Sequence, residues 1–308
     1  MTDFQKNLDK FDLSQEEREI FSKAIDIFDS KMRNDSDLGV SGATTAITFF
    51  VESILKRWYF IEKRWNGSGG MERGGTNAAK YVGHFLPKQE YKDILMIGSG
   101  SGLELIATER LGYNVTGITL GDNNSIFSSI FGHKVLVHDV HATLLPNRSF
   151  DAIVCCQTIE HMLCPPLFLM ECFRLLKIGG KVIIESPKSS LFSSDGITEY
   201  DDNTIMWGEM YHIICPTPRQ LLSFIHMGGF KDTSFYYLDG EYKYLSRIDE
   251  ETDCTEGDNY RQYKHSMGSE MDNTDITYLA VASKCSDQHP WMPDHLMYNH
   301  DFFYNEDS

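Results

Sequence analysis

The apolar positions of this chain change period near residue 93. Ahead of that point they recur at helical spacing. Ile20, Phe21, Ala24, Ile25, Ile27 and Phe28 predict a helix over 14–32. Ser14 and Glu17 form an S-x-x-E capping box at its start, with Leu13 placed as the staple residue. A second helix is expected over 43–65, with Phe49, Phe50, Ile54, Trp58, Ile61 and Trp65 on one face. The plain use of that stripe is packing, and the sharper one is a wall of a substrate pocket. A third helix is expected over 76–85, ended by Leu86-Pro87.

From residue 93 short apolar runs alternate with helical segments, the pattern of an α/β fold with a parallel sheet. Strands are expected at 94–97, 114–120, 134–138, 150–156, 181–185, 233–237 and 276–283. Helices are expected at 103–111, 123–131, 166–176 and 218–227. Gly179-Gly180 reads as a turn and Gly228-Gly229 as a helix C-cap. The expected organisation is a helical segment over 1–66, a glycine-rich linker or lid over 67–76, and a main domain over 77–285. A polar, acidic insertion is expected over 239–275, as an excursion from that domain. Residues 286–308 form a tail rich in aromatic side chains, expected to dock on the domain or on a second copy of the chain in a homo-oligomer.

Composition narrows the functions. The formal charge is −17, and the longest basic runs are Lys56-Arg57 and Lys63-Arg64. Such a chain repels phosphate backbones and anionic lipid, which argues against a nucleic-acid partner. No apolar run reaches the length of a membrane span, and the first residues lack the apolar core of a signal peptide, so a cytoplasmic location is expected. The 7 cysteines show no C-x-x-C spacing. They fit a reducing compartment, and no metal site is expected.

The stretch that carries chemistry is Asp93 to Glu104, DILMIGSGSGLE: strand, glycine loop, helix start. Gly98, Gly100 and Gly102, with Ser99 between them, let backbone approach a ligand without Cβ interference. The helix start behind them offers free N–H groups. Such a loop suits a nucleotide-like cofactor at the carboxyl edge of a parallel sheet. A dinucleotide fingerprint places its third glycine at the sixth position, where this chain has Leu103.

GxGxG resembles the first motif of the class I S-adenosylmethionine (SAM)-dependent methyltransferases, and the resemblance extends over roughly residues 77–237. VLVHDVHATLLPNRSFDAIVCCQTIEHM, from Val135 to Met162, looks like the family's third and fourth motifs in order. Leu175 to Gly180 matches its L-K-x-G-G turn, and His212 to Phe230 its late H…T-x-x-x-L-L…G-F segment. The resemblance implies a doubly wound, mostly parallel, seven-stranded Rossmann-like sheet with an antiparallel last strand. It also implies SAM as cofactor. Asp139 then stands where the family accepts the adenine amino group, and the N–H of Val140 where a ring nitrogen is met. Thr119 replaces the acidic residue that usually bridges both ribose hydroxyls, with Asn124 or Asp122 as compensating partners. Gln157, at the edge of the fourth strand, suits the methionine part.

The reaction that follows is methyl transfer to O, N or C of a small-molecule acceptor. His161 and His212 are the candidate general bases, each with a plainer structural use. Tyr211 and Trp207 are candidates for the acceptor wall. Rival readings are a methyltransferase of nucleic acid or protein, cyclopropanation of lipid, and a non-catalytic partner-binding protein that keeps the fold. SAM binding separates the last from the rest.

Overall fold

The apolar runs expected as strands are strands. β1 (Asp93–Ile97) is buried from Ile94 onward, and β4 (Phe150–Cys156) is buried from Ala152 to Cys155. A strand covered on both faces has no solvated side, so its sequence is an unbroken hydrophobic run rather than an alternation. The computed structural model describes residues 8, 11–33, 55–66, 76–100, 102–120, 132–187, 213–214, 216, 218–239, 241–247 and 277–291. The chain divides into one unit of residues 1–90 and 98–139 and another of residues 91–97 and 140–308.

The first unit holds α1 (Gln15–Arg33), a helix α2 described over 55–63, α3 (Asn77–Phe85) and α4 (Leu103–Arg110). It also holds the parallel pair β2 (Asn114–Thr119) and β3 (Val135–Val137), in the register Gly117 to Val135 and Thr119 to Val137. The capping box forms as read. Glu17 N–H donates to Ser14 Oγ at 3.2 Å and Ser14 N–H to Glu17 Oε2 at 2.8 Å. Trp58, Ile61 and Trp65 are buried with Phe21 and Leu55 against Leu103, Ile106 and Ala107 of α4. The described part of the aromatic stripe is therefore core, worth about 1.5–3 kcal/mol for each large side chain removed from water.

In the second unit the strand order is β1, β4, β5 (Leu176–Pro187), β8 (Thr277–Ser283), β6 (Lys231–Asp239) and β7 (Glu241–Arg247). β1, β4 and β5 are parallel, in the register Ile94 to Ala152 and Ala152 to Lys181. β8 runs antiparallel between β5 and β6. α5 (Pro165–Leu175) starts on prolines, whose missing N–H costs nothing at a first turn. α6 (Pro218–Met227) closes on Gly229, at φ +92°. The expected α/β fold stands, with a mixed rather than wholly parallel sheet.

Two local expectations change. The stretch expected as a polar excursion from residue 239 contains, over its described part, an additional strand, β7 (Glu241–Arg247), antiparallel to β6. Its first four residues, EYKY, alternate with the period of two that a strand needs, and the alternation breaks at Leu245, where the register with β6 shifts. The Gly179-Gly180 turn is instead an irregularity within β5, where the register with β4 shifts between Phe150 and Ala152. A Cβ on Gly180 would lie 2.8 Å from Lys177 O and 2.9 Å from Asp151 O, so only glycine allows that approach. Residues 67–75, the helix expected over 123–131, the rest of the insertion from 248 to 276, and the tail from 292 lie outside the described residues.

The chain after β8 packs on α5. The Lys284 ammonium is fully buried, 4.6 Å over the Phe173 ring, donating to Leu176 O at 2.8 Å and pairing with Asp287 at 3.0 Å. Burial lowers its pKa, more than Asp287 raises it. His289 is buried edge-on to Phe173, and its Nδ1 accepts the N–H of Trp291. Cys155 and Cys172 are buried, which pushes both thiols up, and they serve as small hydrophobes. Among the described residues no helix is long and apolar enough to cross a membrane.

Candidate functional site

In the first unit the loop of Gly98 to Gly102 is fixed by its backbone. Gly98, Gly100 and Gly102 have φ of +69°, +50° and +82°, a region closed to most side chains. Ser99 N–H donates to Ile118 O of β2 at 2.9 Å, and Gly102 N–H to Ser99 O at 2.8 Å. Gly117 of β2 makes room for the loop: a Cβ there would lie 2.8 Å from both Ser99 Oγ and Leu105 Cδ1. At Gly100 the geometry is the reverse. Among the described residues a Cβ would meet only Gly98 O, at 3.8 Å, so in that direction the described chain is open. Gly102 caps α4 with no side-chain bond among the described residues. A loop of left-handed glycines, open at its centre, before an uncapped helix start fits the phosphate-free nucleoside and amino-acid parts of SAM as well as any nucleotide.

Thr119 ends β2 beside this loop. It is buried, and its carbonyl accepts the N–H of His138 at 3.3 Å. Asp139 follows one residue later and is exposed. The structure thus gathers Gly98, Ser99, Gly100, Gly102, Thr119 and Asp139 at the carboxyl end of β2 and β3. Ser101, Asp122 and Asn124 lie outside the described residues.

In the second unit Val140 lies ahead of β4 and the other candidates follow it. Val140 is half-buried. Gln157 leaves the strand at φ +46°, a rare conformation for a side chain that is neither glycine nor asparagine. Glu185 of β5, itself buried, holds it there. Gln157 N–H donates to Glu185 O at 3.1 Å and its amide Nε2 to Glu185 Oε1 at 3.2 Å. His161 closes the short 3-10 turn Ile159–His161 with its side chain 41% exposed, and its Nε2 stands 4.0 Å from the buried Glu160 Oε1. His212 lies outside the described residues, as do Tyr211 and Trp207. Ile213, the next residue, donates its N–H to Glu160 O at 2.7 Å, so the chain beyond His212 is pinned to the turn that carries His161.

Sequence reasoning missed the frame behind these residues. Arg174, buried on α5, binds Glu171 through Nε at 2.8 Å and Nη2 at 2.6 Å, and reaches Leu145 O at 2.9 Å. Glu171 Oε1 also accepts Thr143 N–H at 2.8 Å and Thr143 Oγ1 at 2.6 Å. The connection from Val140 to β4 is thereby tied to α5. The available signal was a Glu-x-x-Arg pair on an otherwise apolar helix. Asp151, part of the S-F-D run, works at the opposite end of β4. Its carboxylate accepts Lys92 and Asp93 N–H groups at 2.8 Å and the Lys177 ammonium at 2.8 Å. Burial pushes its pKa up, but these donors outweigh burial and hold it below the ordinary carboxylate range.

Residues 95–184 match the family profile described as "Methyltransferase domain". These residues form a methyltransferase domain. Two proteins called "Ubiquinone biosynthesis O-methyltransferase" are similar to it. That of Psychrobacter arcticus is 31% identical over 118 residues, 34% of this chain and 46% of the relative. That of Dechloromonas aromatica is 32% identical over 116 residues, 34% of this chain and 50% of the relative. The chain spans about half the length of the curated relatives it matches. Among solved structures, phosphoethanolamine N-methyltransferase 2 of Haemonchus contortus, in complex with S-adenosyl-L-methionine, aligns with a TM-score of 0.51 at 16% identity. That alignment covers 76% of this chain and 57% of the neighbour, a likeness of fold. The matched stretch of the methyltransferase domain begins within β1 and ends within β5, and so includes the glycine loop, Thr119, Asp139, Val140, Gln157 and His161.

Proposed function

We propose that this chain is an enzyme that transfers a methyl group from SAM to a small-molecule acceptor. The observation that carries the reading is the glycine loop, held in a left-handed conformation by Ser99 and Gly117 and open at Gly100. When bound, SAM supplies a methyl group activated by its sulfonium. The loop from Gly98 to Gly102 holds the cofactor, and Asp139 accepts the adenine amino group while Val140 N–H meets the ring. Thr119 offers the ribose one neutral acceptor, completed by Asn124 or Asp122. Gln157 meets the methionine part. The protein's work is then alignment and exclusion of water, with His161 as the base when the acceptor is a hydroxyl or an amine. The names of the two curated relatives favour oxygen as the atom methylated.

Calorimetric titration of SAM tests the reading. The wild-type chain is expected to bind it, and Asp139→Ala to bind about 1–3 kcal/mol more weakly, the scale of a hydrogen bond to a charged group. A SAM analogue in which the adenine amino group is replaced by oxygen is expected to be discriminated by the wild type alone. No binding at the highest soluble SAM concentration would favour the non-catalytic, partner-binding reading that Thr119 invites.

A further inference from the structure

Two helix starts in the first unit share one carboxylate. α3 begins behind Thr76, which makes no side-chain cap, and the Thr76 hydroxyl is buried with no hydrogen-bond partner among the described residues. The first N–H groups of a helix need acceptors from elsewhere. Here Asn77 N–H donates to Glu104 Oε1 at 3.1 Å and Ala78 N–H to Glu104 Oε2 at 3.0 Å. Glu104 sits in the first turn of α4, two residues beyond Gly102. Its turn is held in place, since Ile106 N–H donates to Gly102 O at 2.9 Å and Thr108 Oγ1 to Glu104 O at 2.8 Å. Bonds from backbone N–H to an ionised carboxylate are among the stronger kind, and the negative charge also suits the positive end of each helix. A residue adjoining the glycine loop therefore does for α3 what α3's own N-cap does not.

We propose that Glu104 is a positioning residue of the SAM site. It clamps the start of α3 to the helix start behind Gly98 to Gly102, and so keeps the loop in its ligand-ready conformation. The inference rests on the loop being the SAM site. It assigns a task to the residue just past the glycine motif, and the task is done without touching the ligand.

Binding of SAM by wild type, Glu104→Gln and Glu104→Ala tests it, with hydrogen exchange followed in the same proteins. Glu104→Ala is expected to lower SAM affinity about tenfold, the scale of one lost charged hydrogen bond, and to speed exchange in the first turn of α3. Exchange in β4 and β5 should stay at the wild-type rate. Glu104→Gln keeps one acceptor oxygen and should recover part of the affinity. A purely structural role would show faster exchange at 77–82 with wild-type affinity in the folded protein, and that result would overturn the inference while the proposed function stands. Should Glu104→Ala fail to fold, Glu104→Gln decides by the same comparison. No SAM binding by the wild type would overturn both.

Discussion

In the first unit the candidate residues are set by backbone conformation, and in the second by bonds between side chains. Gly98, Gly100 and Gly102 owe their places to left-handed φ values and to the space Gly117 leaves. Gln157 and the chain from Thr143 to Leu145 owe theirs to Glu185, Glu171 and Arg174. The two devices fail differently. A backbone-coded loop is lost when a Cβ is added. A side-chain-coded frame is lost when one partner is removed and the other stays buried. The first resists most point changes outside its glycines and the Glu104 clamp; the second concentrates its risk in a few charged atoms.

The largest effect is expected where that risk is greatest. Arg174→Ala leaves the Glu171 carboxylate buried with only the Thr143 donors among the described residues and removes the donor to Leu145 O. Breaking a buried pair in this way costs about 3–5 kcal/mol. Replacing Glu171 and Arg174 together by leucine should cost much less, because no lone charge remains. Urea unfolding of the single and double variants checks both statements. A single-variant loss below about 1 kcal/mol, the scale of a surface pair, would show that the network does not hold the connection.

The loop comes next, and it separates a packing glycine from a ligand-facing one. Gly117→Ala drives a methyl group into Ser99 and Leu105 and is expected to cost about 1–3 kcal/mol of stability. Gly100→Ala meets no atom of the described residues within 3.4 Å, so its cost is that of the left-handed backbone, about 1–2 kcal/mol. Their order reverses for SAM. Gly100→Val should abolish detectable binding, since its branched side chain fills the open direction. Folded Gly117→Ala should keep binding within about tenfold of wild type. Thermal unfolding and calorimetry on the same samples read both orders, and equal SAM affinity in all three variants would take Gly100 out of the site.

What the sequence made legible follows the same division. The runs of β1 and β4 and the spacing of Gly98, Gly100 and Gly102 are local, and local patterns survive in a single chain. Arg174 meets Leu145 across 29 residues, and Glu104 meets Ala78 across 26. Neither pair leaves a periodicity, because each is made by the fold. β7 did leave one, in the alternation of its first four residues, EYKY, but it is short and acidic composition around it masked the signal. Gly179-Gly180 read as a turn because a glycine pair marks a turn and a close backbone approach alike. Asp151 shows the converse. The motif around it was recognisable, yet its carboxylate fastens the amino ends of β1 and β4 rather than meeting a ligand.

The smallest effect is expected at Gln157, where the two devices meet in one residue. Its backbone is left-handed, like the loop glycines, yet a side chain holds it there, like the rest of the second unit. Gln157→Ala removes the amide bond to Glu185 and keeps the strained backbone. Gln157→Gly removes the bond and the strain together. The left-handed conformation costs a residue with a Cβ about 1–2 kcal/mol, and glycine gives back about 0.5–1 kcal/mol through the freedom of its unfolded chain. The glycine variant should therefore be more stable than the alanine variant by about 0.5–1 kcal/mol. Against wild type it should be less stable by about 0.5–1 kcal/mol, since the lost hydrogen bond, worth about 1–2 kcal/mol, exceeds the net gain at the backbone. Urea unfolding of the three proteins side by side resolves the order. If alanine matches glycine, the backbone at Gln157 carries no strain, and Glu185 is then a partner rather than a clamp. If glycine exceeds wild type by more than 1 kcal/mol while losing SAM affinity, the chain keeps a destabilising residue at the end of β4 for the sake of its ligand.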